Sequence, residues 1–217
     1  MKKAYLPYLL VLAVSVLGSG ASAQPYPLEA DDRRFAELAN EGRYAEAYAL
    51  AESAPERFAH WYAYLLFYTV PPKGTYSVGE ATVRAAEHAC RYREVNLEAA
   101  AYCYNTLALI LRWKDQDPRI AQALPGAKLP SLSPSEVDQG LQALAEKGVS
   151  LAVYYRNRSK TEVLEGLVRE RPYSLGGQLA AGLLANRLWE GSNRGSEMVR
   201  YALLAPGVSS LAGGVLS

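Results

Sequence analysis

Residues 55–70, Pro-Glu-Arg-Phe-Ala-His-Trp-Tyr-Ala-Tyr-Leu-Leu-Phe-Tyr-Thr-Val, decide the fold. Phe58, Trp61, Tyr62, Tyr64, Leu65, Leu66, Phe67 and Tyr68 put apolar surface on nearly every side of a helix. A helix without a polar face belongs at the centre of a helical packing. Pro55 suits its first turn, where the missing amide proton breaks no bond, and Pro71-Pro72-Lys73-Gly74 ends it.

The reading extends outward from this centre. Before it, a helix from about Asp31 to Asn40 halts at Gly42, a residue that accepts the left-handed conformation after a helix. A second runs from Tyr44 to Ala54, with Tyr44, Ala47, Tyr48 and Ala51 at the spacing of one face. Beyond it, Ser77 followed by Glu80 reads as a capping box that opens a helix near Val78. There Glu80, Arg84, Glu87, His88 and Arg91 share a solvated arc, while Ala81, Ala85, Ala89 and Tyr92 face inward. A fifth helix, about Leu97 to Lys114, is polar only along the row Glu98, Asn105, Arg112 and is therefore mostly buried.

Pro118, Pro125, Gly126 and Pro130 make a loop-rich break at about 115–133, with room for one short helix. Ser133-Pro134-Ser135-Glu136 restarts helix formation with a cap, a proline and a glutamate in favoured places. Helices are then expected at Pro134–Lys147, Ser150–Arg156, Lys160–Glu170 (capped by a box of Ser159 and Glu162), Ser174–Trp189 and Ser196–Leu204. Gly176 and Gly177 allow a neighbouring backbone to approach closely. Alternating Val, Ile and Thr runs are missing, so strands have no home. The fold expected is all-α, about ten helices in a single domain over residues 24–217.

Composition bounds the setting. Met1-Lys2-Lys3, an apolar run from Ala4 to Leu17 and the triplet Ala21-Ser22-Ala23 have the layout of a secretory signal peptide over residues 1–23. An exported chain, periplasmic or extracellular, would then begin near Gln24. An uncleaved membrane anchor is disfavoured because the run falls short of the ~20 residues that a bilayer requires. No membrane span is expected after cleavage. Without Lys2 and Lys3, 21 basic residues face 22 acidic ones, which makes nucleic acid a poor partner.

Export makes the two cysteines, Cys90 and Cys103, candidates for a disulfide. They stand six residues before and seven after Asn96, at similar heights on the arms of a helical hairpin turning there. Separately buried thiols are the alternative.

Gly42-Arg43-Tyr44-Ala45-Glu46-Ala47, with Ala51 and Ala54, resembles the second helix of a tetratricopeptide repeat. Ala85-Ala86-Glu87-His88-Ala89 and Ala143-Leu144-Ala145-Glu146-Lys147-Gly148, with Ala152, look like the Ala-rich turns of Sel1-like repeats. The resemblance implies a helix-pair repeat array or irregular α-solenoid, a scaffold that binds peptides or folded partners on a groove.

A catalytic or metal site needs converging titratable groups, and only two histidines occur, neither in a metal-ligand spacing. His60 reads as a hydrogen-bonded core or rim residue and His88 as solvated. Asp31, Asp32 and Glu165 read as salt-bridged surface. Neither a nucleophile elbow nor a phosphate loop is present, so no catalytic residue, metal or cofactor is expected. Asn157-Arg158-Ser159 fits the glycosylation pattern, though a chance tripeptide explains it better.

The compositional oddity is sixteen tyrosines against three phenylalanines. Most suit helix interfaces, with hydroxyls reaching the edge. Tyr64, Tyr68, Tyr154 and Tyr155 are the groove candidates, because their helices hold more aromatics than one buried stripe takes. The expected function is an exported scaffold binding a protein or peptide. The alternative from another class is a cell-wall glycan-acting enzyme or its glycan-binding accessory.

Overall fold

Where the chain stops and restarts its helices is set by caps, glycines and prolines, and the computed structural model describes residues 29–68 and 77–190. The signal peptide expected over residues 1–23, the helix stop expected at Pro71–Gly74 and the helix expected at Ser196–Leu204 lie outside the described residues. Within them are ten helices and no strand: α1 (Glu29–Asn40), α2 (Tyr44–Ser53), α3 (Ala59–Tyr68), α4 (Val78–Arg91), α5 (Leu97–Trp113), α6 (Pro118–Ala123), α7 (Pro134–Glu146), α8 (Ser150–Arg156), α9 (Thr161–Glu170) and α10 (Leu175–Glu190). The protein is all-α, as its sequence pattern requires.

Three starts repay attention. Ser133 and Glu136 form the reciprocal box at the head of α7, with Pro134 just inside it. Ser77 accepts the Glu80 amide at 3.1 Å, but the Glu80 carboxylate turns to Arg84 instead of closing its box. The box expected of Ser159 and Glu162 does not form: Lys160 occupies the cap position of α9 and no side chain caps it.

The central helix starts at Ala59 rather than at Pro55, and the reason is tertiary. Arg57 and Phe58 both donate their amides to the Ala54 carbonyl, making a turn. Asn96, fully buried at the N-cap of α5, then donates its amide group to the carbonyls of Glu56 and Arg57 at 2.8 and 3.0 Å while accepting from Ala99. A partner some forty residues away outweighs the local preference of Pro55 for a first helical turn. From Ala59 onward the helix is central, with Trp61, Tyr64 and Leu65 all buried.

One core runs from Phe35 and Trp61 through Ala101 and Leu107 to Leu144, Leu151 and Leu175. α7 packs on α5, so the break at 115–133 interrupts the sequence and not the core. Full burial of side chains such as Phe35, Leu65 or Leu151 contributes roughly 1.5–3 kcal/mol each. The α4–α5 hairpin turns at Asn96 and brings the Cys90 and Cys103 sulfurs to disulfide distance, 2.08 Å, with α-carbons 4.8 Å apart. By chain-entropy reasoning a bridge over that sequence separation stabilises the fold by roughly 3 kcal/mol.

Candidate functional site

Short α8 is held at its first turn by two other elements. Val149 precedes it and offers no capping side chain, so the first amides need acceptors from elsewhere. Glu98 of α5 supplies them: its carboxylate accepts from Ser150 N at 2.8 Å and from Leu151 N at 2.9 Å, although the residue is almost fully buried. A negative group at a helix N-terminus is favourable. Burial nevertheless pushes the Glu98 carboxyl above its usual range, against the pull of His60 and of the α8 amides. From the other side α10 presses Gly176 onto the Ser150 backbone, where a β-carbon would stand 2.3 Å from the carbonyl carbon. Only glycine permits that approach.

So placed, α8 carries Tyr154 and Tyr155 to a cavity of about 170 Å³ between α3, α5 and α10. Its lining grades from buried Tyr64 and Tyr102, through half-buried Phe67, Tyr154, Tyr155 and Leu179, to exposed Arg158. The Arg158 guanidinium lies 5.3 Å from the Tyr154 ring centre and 5.0 Å from that of Tyr155, within cation–π reach of both. The two rings are tilted by 57° with centres 5.4 Å apart. Arg158 also donates to Asn105 Oδ1 at 3.4 Å. Burial raises the Tyr154 phenol above its ordinary value, while Arg158 and Arg187 draw it down. The groove thus offers phenol hydroxyls, an amide and a guanidinium around an apolar interior, a set suited to recognition.

Of the tyrosines nominated from sequence, Tyr64, Tyr154 and Tyr155 meet at this cavity. Tyr68 ends α3, and its side chain lies outside the described residues. In the sequence Asn105 stands out only as part of a polar row, and Arg158 only within a glycosylation pattern. The spacing of Arg158, three residues after Tyr155 and four after Tyr154, would put it beside both on a continuing helix, but α8 ends at Arg156 and it is the turn over residues 157–159 that brings Arg158 to the two rings.

Other titratable residues depart from expectation. Asp32 is buried rather than on a salt-bridged surface, because it accepts from Trp61 Nε1 at 2.5 Å and faces His60 Nε2 at 3.5 Å. Asp31 is partly buried and pairs with Arg57. Glu98 leaves the polar row of α5 to cap α8. His60 is fully buried, as expected of a core residue. His88 is half-buried rather than solvated: its ring stacks on Tyr62 at 4.3 Å and lies 5.2 Å from Tyr92. Burial, aided by Arg91, lowers its pKa to about 4.

A second, larger hollow of about 510 Å³ lies between α4 and α6. Its charges are matched internally: Arg84 with Glu80 at 2.9 Å, Arg119 with Asp117 at 2.7 Å, and Glu87 with the Lys128 amide at 2.5 Å. Among the described residues no three His, Cys, Asp or Glu side chains gather as metal ligands, and no helix is long and apolar enough to cross a membrane. Comparison of the chain with protein-family models, with curated proteins and with solved structures finds no match.

Proposed function

We propose that the protein is an exported helix-pair scaffold that binds a segment of a protein or peptide in the tyrosine-lined groove between α3, α5 and α8. The observation that carries the reading is the convergence of Tyr64, Tyr154 and Tyr155 with Arg158 at one cavity. Aromatic and arginine side chains at a partly desolvated hollow are the residue types that dominate protein interfaces. The glycan-binding alternative draws on the same tyrosines. It is the weaker reading, because Arg158 lies against both Tyr154 and Tyr155 and so competes for the ring surface on which a sugar would stack.

The test is capture of partners from an envelope extract by the exported chain beside two variants. Tyr155→Ala removes a half-buried ring of the groove, and its truncation should weaken capture by about 2 kcal/mol, the scale of an interface anchor. Charge reversal at Arg84 and Glu87, on the larger hollow, should leave capture unchanged. Circular dichroism of each variant checks that it remains folded. Capture lost on charge reversal and kept by folded Tyr155→Ala would move the binding surface to α4 and discard the groove.

A further inference from the structure

Resting on the groove reading above, we infer that the occupant is an acidic peptide segment: one apolar or aromatic side chain fills the cavity while neighbouring aspartate or glutamate side chains pair with Arg158 and Arg187.

The size of the cavity sets the anchor. About 170 Å³ is room for about six waters and falls below the roughly 300–1,000 Å³ of small-molecule pockets. It suits a single side chain. Tyr64, Phe67, Leu109 and Leu179 give that side chain an apolar surround.

The cations set the charge. Arg156, on the same short helix, is paired with Asp138. Arg158 and Arg187 have no carboxylate partner among the described residues: the first touches Asn105 and two tyrosine rings. The second donates to the Arg158 carbonyl and to Thr161 Oγ1. The bond to that carbonyl places Arg187 beside Arg158, so both stand near one edge of the groove. Contact with the rings holds the Arg158 guanidinium in place and leaves it able to take a carboxylate. Two guanidiniums exceed the single charge of a chain terminus, so the source of the carboxylates is acidic side chains within a segment.

The larger hollow offers no equivalent. Its arginines already hold Glu80 and Asp117, and an incoming carboxylate would have to displace them.

The test uses the full exported chain and three fluorescein-labelled octapeptide pools, each with a central leucine, phenylalanine or tyrosine. In the first the anchor is flanked by glutamates and the C-terminus is amidated. The second replaces the glutamates by glutamines. The third keeps the glutamines and ends on a free carboxylate. By fluorescence anisotropy the glutamate pool should bind about ten-fold more tightly than the amidated glutamine pool, the order of one charge-assisted pair. Combined Arg158→Gln and Arg187→Gln should erase that preference, bringing the glutamate pool and the amidated glutamine pool to equal affinity.

Equal binding of the first two pools, a preference that survives the double arginine variant, or tightest binding of the free-carboxylate pool would each overturn the inference. So would failure of all three pools to bind. The groove itself is judged separately: if Tyr155→Ala still loses partner capture, the groove stands and only its acidic preference falls.

Discussion

The two hollows described above differ in the opposite sense from the usual expectation that the larger is the candidate site. The α4–α6 hollow has three times the volume, yet each charge on it named above is answered by a neighbour, and its pairs are exposed. The tyrosine groove is small, but it holds an arginine with no carboxylate partner among the described residues, and its helix is braced from within by Glu98 and Gly176. What distinguishes the proposed groove is an arginine without a carboxylate partner among the described residues, beside a helix held at its first turn, not size.

The sharpest way to break this contrast is to remove the brace. Glu98→Ala leaves two buried amides of α8 without acceptors and should destabilise the fold by about 3 kcal/mol, read as a lower denaturant midpoint. Glu98→Gln keeps one acceptor and should lose less. A midpoint unchanged in Glu98→Ala would mean that α8 is held by packing alone.

Next in size is His88, which lies on the charged arc of α4 yet behaves as part of the interior. Its folded pKa is depressed to about 4, so the ring is neutral in the fold and takes a proton more readily in the unfolded chain. The corresponding stability is complete above the ordinary histidine value of about 6.5 and is lost as pH falls from there toward 4. A loss of about 2 kcal/mol over that window is expected, allowing for the part-exposed ring. In His88→Gln that component should vanish from the pH–stability curve; a curve identical to that of the parent would return His88 to the solvated arc.

The smallest effect belongs to the larger hollow. Glu80→Gln or Arg84→Gln breaks an exposed pair one helical turn apart, which is worth about 0.5 kcal/mol or less and weakens further in salt. A loss above about 1 kcal/mol would make that hollow a structural feature in its own right.

Local chemistry made most of the helices legible. The Ser133–Glu136 box, the turn at Asn96 and the glycine at position 42 are short-range signals, and the chain obeys them. Three of the groove tyrosines were legible for a related reason, since an excess of aromatics on a short helix must reach beyond one buried stripe. What stayed hidden were the buried polar groups. Asp32 and Glu98 read as surface because a carboxylate is rarely buried without partners, and their partners lie 29 and 52 residues away, where no local pattern reaches. The late start of α3 has the same origin in Asn96.

The Glu98 contact also bears on whether the chain can be divided. The break at 115–133 looks like a place to separate two halves, but a piece ending there would bare the α5 face that α7 and α8 cover, together with a carboxylate whose two amide donors have been cut away, and a piece beginning there would start α8 uncapped. Neither half carries the means to complete itself. The loop is a seam in the sequence that the folded molecule cannot be opened along, and expression of either half alone should yield a chain that stays unfolded until the other is supplied.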